Sequence, residues 1–448
     1  MATLTETFAE RLQRLGITLP DILLPKAGTD LSKWAVVACD QYTSDQPYWD
    51  KVDQIVGDAP STVRITLPEI YLEQPGVEGR IQKIHAAMAD YQARGILESK
   101  GEGLIYLKRT TEHSGTREGI VVAMDLERYD YARDSKSLIR ATEGTIVERI
   151  PPRLAVRRAA PLELPHIMIL VDDPERGIIE ALAAKTAEFE PAYDIDLMQD
   201  GGKLQGWRIQ KPEHVEAILS KLEALLDKTV SVQGSEPLFW AMGDGNHSLA
   251  TAKARWEETK KELEARGLWL DAIMAHPARF ALAEIVNIHS PGLFFEPIHR
   301  SVFTSKVDAL TELVKAEPDA VVTPTTEEAA KALLVGAEGQ DKAVYFDGKT
   351  WFTLAYKPSV KKLPTAMVDE LFARFKGQDE AARIDFIHGW DDTRKLVAEG
   401  AGVFFTPVIA RERLFTWVQE NGPLPKKSFS MGHAEEKRYY VEARRIVK

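Results

Sequence analysis

The segment Phe239-Trp240-Ala241-Met242-Gly243-Asp244-Gly245-Asn246-His247-Ser248 changes character midway. An apolar run stops at two glycines interleaved with Asp, Asn and His, and a helical pattern begins at once. Apolar runs of this length suit buried strands, glycine permits a tight turn, and short polar residues start helices, so the order predicts strand, turn and helix N-terminus. Leu249, Ala252, Trp256 and Leu263 fall on one face of that helix, with Lys253, Glu257, Lys260 and Glu264 elsewhere. The helix therefore packs on a core, and its N-terminus is fixed in place.

The rest of the chain alternates in the same way. Strand patterns occupy 34–39, 103–109, 119–126, 137–145, 166–171 and 280–288, the first strand being expected at 34–39. Helical patterns cover 8–15, 80–97, 151–158, 175–188 and 213–227, and the Gly-containing loop at 110–118 reads as a hairpin connection. Alternating strands and helices point to an α/β fold with a mixed sheet and at least one parallel pair. After 300 the composition shifts to Thr, Ala, Glu and Lys, and Asp347-Gly348 between apolar runs signals another hairpin. The expected division is therefore 1–300, a mixed α/β core carrying the Gly-Asp-Gly-Asn-His motif, and 301–448, a C-terminal α/β domain.

With 448 residues, 44% of them hydrophobic, the chain has material for ordinary cores. A formal net charge of -11 argues against a protein that coats nucleic acid or anionic lipid, because both need a dominant positive field. One cysteine, Cys39, ends an apolar run and reads as a core residue that forms no internal disulfide. No signal-peptide pattern and no apolar run of membrane-spanning length is visible, so a cytoplasmic location is expected. Composition leaves the oligomeric state open.

A helix N-terminus concentrates backbone N–H groups and positive dipole, and glycine lets the oxygens of an anion approach the backbone. Gly243, Asp244, Gly245, Asn246, His247 and Ser248 therefore read as a phosphate cradle, with His247 able to hydrogen-bond phosphate in either charge state. The plainer alternative is that Asp244, Asn246 or Ser248 N-caps the helix and the glycines merely turn the chain. A dinucleotide fingerprint lacks its third glycine, a P-loop lacks its Gly-Lys-Ser/Thr ending, and zinc lacks a second ligand at suitable spacing. Asp244 can hold Mg²⁺ through oxygen. Glu143, in a polar Thr-Glu-Gly-Thr turn, is the candidate carboxylate to take a proton from an attacking hydroxyl, the plainer alternative being an ordinary solvated turn glutamate. Arg149, Arg153, Arg157 and Arg158 either neutralise phosphate or form surface ion pairs. His299-Arg300 and Pro425-Lys426-Lys427-Ser428 are further anion-binding candidates, although each taken alone reads rather as structural or solvated.

At these residues the chain resembles family 1015 of the domains of unknown function, whose signature has the form Asp-Gly-His-His-Arg-Tyr. Here Asp244-Gly245-Asn246-His247-Ser248-Leu249 holds that place, and 34–42, 140–145, Val286-Asn287, 297–300 and 425–428 match in order. The signature is in turn similar to the phosphate-binding turn of the ParB and sulfiredoxin-like fold, including the free L-serine kinases. That resemblance implies that Asp244, Gly245 and His247 meet phosphates or metal, that Glu143 acts as base, and that His247 shares in catalysis. Two departures stand out: Ser248 replaces an arginine, and Thr142 replaces a histidine. The missing positive charge would then come from Arg140, Arg300 or Lys426. The resemblance implies a Mg²⁺-assisted phosphotransferase moving a phosphoryl group from ATP or ADP to a small hydroxyl metabolite, a serine-like amino acid first among them. The alternative is a nucleotide- or phosphometabolite-binding protein without catalysis, and a ParB-like role on nucleic acid is disfavoured by the acidic balance.

Overall fold

A computed structural model describes residues 6–232, 234–335 and 339–447. It contains two compact units, Met1–Leu293 with Gly432–Lys448, and Phe294–Met431. Where the sequence reading divides the chain at 300, these units divide between Leu293 and Phe294, and the residues from Gly432 on belong with the first.

The first unit is built on a ten-stranded sheet. Its strands are β1 (Ile17–Thr18), β2 (Leu104–Thr111), β3 (Gly115–Asp125), β4 (Tyr129–Asp130), β5 (Ile139–Arg140), β6 (Met168–Val171), β7 (Glu190–Leu197), β8 (Gly202–Ile209), β9 (Trp240–Asp244) and β10 (Phe280–Asn287). They lie in the order β7-β8-β2-β3-β10-β6-β9-β5-β4, with β1 beside β3. The pairs β6/β10, β9/β5 and β5/β4 are parallel, while β6/β9 and β10/β3 are antiparallel, so the sheet is mixed as expected.

Side-chain alternation explains why these strands are apolar almost throughout. Tyr106, Ile120, Val122, Ile169 and Ile285 face one core, and Ile105, Leu107, Val121 and Leu282 face another. Successive residues of a strand point to opposite faces, and here both faces are covered. The helix Pro212–Lys228 contributes Val215, Ile218, Leu219 and Leu222 to the first core, and Val77–Ala93 contributes Ile84, Met88 and Tyr91 to the second.

Several sequence expectations are corrected. Leu31–Trp34 is a short helix, N-capped by the Asp30 carboxylate, which accepts from the Ser32 N–H at 3.1 Å. Only Val36–Val37 is strand, paired with Tyr439–Tyr440, and Ile17–Thr18 and Asp21–Pro25 both precede it. The helical pattern at 175–188 becomes a 3₁₀ stretch, Glu180–Glu188, because Asp173 turns the chain first, accepting from the Ile178 N–H at 2.9 Å. The strand at 137–145 shrinks to β5. The β7–β8 hairpin has no counterpart in the sequence reading.

The second unit carries a seven-stranded sheet whose registered pairs are all antiparallel. Its expected hairpin joins Lys342–Phe346 to Trp351–Tyr356, and Asp347 Oδ1 closes the turn on the N–H groups of Lys349 and Thr350 at 2.8 and 2.7 Å. The helices Val307–Lys315 and Pro364–Lys376 supply Leu310, Val314, Met367, Leu371 and Phe375 to its core. Among the described residues of the whole chain, no helix is long and apolar enough to cross a membrane.

Candidate functional site

The motif forms the expected strand, turn and helix: β9 ends at Asp244 and the helix runs Asn246–Ala265 with Leu249, Ala252, Trp256 and Leu263 buried. Along the antiparallel partner, Met168 faces Asp244 but Ile169 faces Met242, so Gly243 is the extra residue of a β-bulge. Bulges re-aim the side chains that follow them, here Asp244. Gly245 has φ 78°, and a Cβ on it would lie 3.0 Å from Ile167 Cα. Left-handed backbone and close approach together demand glycine. Gly245 is itself the N-cap and no side chain caps the helix, so the side-chain N-cap reading does not hold. Ser248 lies in the first turn, its N–H bonded to the Gly245 carbonyl at 2.9 Å.

Glu143 is brought to this turn by strand order. β5 runs parallel to β9, so both chains leave the sheet at the same edge, the edge where open α/β sheets bind ligands. The Thr142 hydroxyl, buried, donates to the Met242 carbonyl at 2.6 Å, and the Asn246 side-chain amide donates to the Glu143 carbonyl at 3.2 Å. Thr142 thus ties the two segments together. The other half of that amide, Asn246 Oδ1, is a buried acceptor with no hydrogen-bond partner. His247 follows on the same first turn, its carbonyl accepting from the Thr251 hydroxyl at 2.6 Å.

Asp244 meets a residue that sequence reasoning missed. Lys437 Nζ lies 3.0 Å from Asp244 Oδ2, and the Gly245 N–H donates to Oδ1 at 2.8 Å. Burial alone would raise the Asp244 pKa, but the Lys437 ammonium, the Gly245 N–H and nearby His166 outweigh it and hold the carboxyl below its ordinary range. His166 packs beside Gly245, its Nδ1 sharing a 2.8 Å hydrogen bond with the Tyr440 hydroxyl and its Nε2 3.7 Å from Asp40 Oδ2. The Cys39 N–H donates to the same hydroxyl at 3.1 Å, and burial pushes the Cys39 thiol up, away from thiolate chemistry. No local signal marks Lys437, His166 or Tyr440, because each reaches the turn through tertiary contacts alone.

The arginines expected at phosphate are engaged elsewhere. Arg140 is buried and donates to the carbonyls of Ser137 and Glu236, its pKa lowered by that burial. Arg300 belongs to the second unit, where it is fully buried and donates to Ile298 and Lys427 carbonyls and to Asp369. His299 beside it is buried as well, and Lys426 lies over the Phe386 ring. Arg153, Arg157 and Arg158 pair with Glu69, Glu163 and Glu258. For a divalent ion the turn offers oxygen donors, the Asp244 carboxylate and the orphaned Asn246 Oδ1, which fits a hard cation carried on phosphates better than a dedicated protein cage.

The family model described as "Protein of unknown function (DUF1015)" matches residues 23–374. No curated protein matches the sequence. Among solved structures, a free serine kinase in complex with AMP aligns at 11% identity and TM-score 0.37, over 75% of this chain and 94% of that one. A conserved hypothetical protein from Pyrococcus furiosus aligns at 11% identity and TM-score 0.35, over 72% and 95%. SbnI with a C-terminal truncation, from Staphylococcus aureus, aligns at 9% identity and TM-score 0.36, over 70% and 82%.

Proposed function

The chain belongs to the DUF1015 family, and from that premise we propose that it is a phosphotransferase acting on a small hydroxyl metabolite, with ATP or ADP as donor and a serine-like amino acid as first candidate acceptor. The observation that carries the reading is the Asn246–Glu143 hydrogen bond, which seats a carboxylate-bearing loop against an uncapped helix N-terminus. Helix N–H groups hold the phosphates, and Glu143 receives the proton of the attacking hydroxyl. The acceptor oxygen bonds to phosphorus as the bond from phosphorus to the leaving ADP or AMP breaks. Gly243, Gly245, Asn246, His247 and Ser248 line the anion side. Mg²⁺ would neutralise phosphate charge, with Asp244 as the residue to hold it.

The test is incubation with Mg²⁺, ATP or ADP and a panel of hydroxyl amino acids, comparing wild type with Glu143→Gln. Phosphorylated product from wild type is expected, and Glu143→Gln should lose about 10²-fold or more of the rate, the usual scale of a general base, while still binding nucleotide. Equal rates for the two proteins would remove Glu143 from the mechanism.

A second reading, nucleotide or phosphometabolite binding without transfer, is favoured by one observation: Thr142 is committed to a backbone carbonyl, and the resemblance implies a histidine there and an arginine at Ser248. Nucleotide binding with no turnover on any acceptor would select it.

A further inference from the structure

Ser248 leaves the turn without a cation of its own, and Asp244 adds a negative charge where an anion must approach. Arg140 and Arg300 are committed to other oxygens. The cation that does stand at the turn is Lys437, 3.0 Å from Asp244 Oδ2. Its side chain is 10% exposed, less than any other lysine in an ion pair of the described residues; Lys253 and Lys260 follow at 19% and 21%.

The backbone that carries Lys437 is fixed from both the side chain and the main chain. Arg438 Nε lies 2.9 Å from Glu284 and its NH2 2.8 Å from Glu442, all three buried. The Tyr439 hydroxyl donates to the Met198 carbonyl at 3.1 Å, Tyr440 bonds His166, and the Arg438 carbonyl accepts from the Ala38 N–H at 2.9 Å. A long flexible side chain held this way loses little further entropy on meeting a ligand.

We propose that Lys437 is the phosphate-binding cation of this turn, that Asp244 holds its ammonium in place until an anion takes it, and that the group recognised is the pyrophosphate of a nucleoside di- or triphosphate. The inference rests on the nucleotide-phosphate reading given above. It makes Asp244 and Lys437 act with opposite sign: the lysine attracts the anion and the aspartate competes for the lysine.

Calorimetric titration with pyrophosphate, ADP and adenosine, all in EDTA so that no metal intervenes, separates the possibilities. Lys437→Gln should weaken pyrophosphate and ADP about tenfold or more, the equivalent of one charge-assisted hydrogen bond, and leave adenosine unchanged. Lys437→Arg should restore most of the loss, and Asp244→Asn should tighten pyrophosphate several-fold. Should Asp244→Asn weaken binding as much as Lys437→Gln, the pair is structural and the inference is wrong. Wild-type affinity in Lys437→Gln would overturn the role of Lys437 while leaving the phosphate site standing. Absence of pyrophosphate and ADP binding in the wild type would remove the site itself and the inference with it. Melting temperatures of all variants identify any loss that comes from misfolding, and Asp244→Asn, expected to gain affinity, is immune to that explanation.

Discussion

At single residues, burial overrides the chemistry that the letters suggest. His299-Arg300 reads in the sequence as either an anion-binding candidate or a structural pair, and it is structural: His299 is 3% exposed and its Nδ1 accepts from the Thr406 N–H at 3.3 Å. Burial first, then the charges of Arg300 and His388, push its pKa down to about 3. An unfolded histidine titrates near 6.5, so below that pH the unfolded chain binds a proton that the folded chain refuses until about pH 3. Stability is therefore complete above pH 6.5 and falls as the pH drops through that window, with a slope approaching about 1.4 kcal/mol per pH unit. Urea unfolding at pH 7, 6 and 5 should show this loss in the second unit, and His299→Gln should flatten it. An unchanged slope in His299→Gln would assign the acid sensitivity to other groups.

At the scale of the element, the turn between β9 and the motif helix was legible because everything that makes it is consecutive in the chain. Apolar strand, left-handed Gly245 and amphipathic helix follow one another within twenty-odd residues and each obeys a local rule, whereas the Gly243 bulge comes from register with the partner strand. Gly245→Ala is expected to cost about 2 kcal/mol, from left-handed backbone and a Cβ pressed on Ile167, and to weaken phosphate binding with it. Gly144→Ala, where a Cβ meets nothing within 4 Å, is the matched control and should be neutral. Chemical denaturation and ADP titration of the two variants check this, and a Gly245→Ala protein as stable as Gly144→Ala would refute the steric account. The 34–39 run shows where the same rules mislead. Its alternation-free apolar pattern fits a strand, but Asp30 starts a helix through Trp34, whose indole is held by the Val441 carbonyl at 3.0 Å.

Across the whole molecule, the C-terminal segment closes the first unit. Tyr439–Tyr440 pairs with Val36–Val37, Arg444–Arg445 pairs with Leu162–Glu163, and Arg438 bridges Glu284 in β10 to Glu442. Arg117 reaches the same Glu284 at 3.3 Å, and the Tyr193 hydroxyl donates to Glu442. Removing one member of such a buried network leaves charges uncompensated, which costs about 3–5 kcal/mol. Arg438→Met should therefore lower the unfolding midpoint of the first unit strongly and leave the transition of the second unit in place. Guanidinium unfolding followed by tryptophan fluorescence measures both, and an unshifted first transition would deny the network its role.

The elements whose causes are local were legible in the sequence: the strand, turn and helix of the motif, the Pro-initiated helix Ile150–Arg158, and the hairpins around 110–118 and Asp347-Gly348. The sequence also determined the mixed α/β class, because apolar periodicity alternates along the chain. Which residues meet at the turn is a matter of tertiary packing. β5 lies beside β9, which brings Glu143 to Asn246, and Lys437 reaches Asp244 from a distant part of the sequence. Strand order and long-range ion pairs are set by how faces pack and which buried charges find partners, and a linear pattern carries neither. The same physics commits Arg140 and Arg300 to neighbouring carbonyls, since a buried guanidinium must bind the oxygens around it.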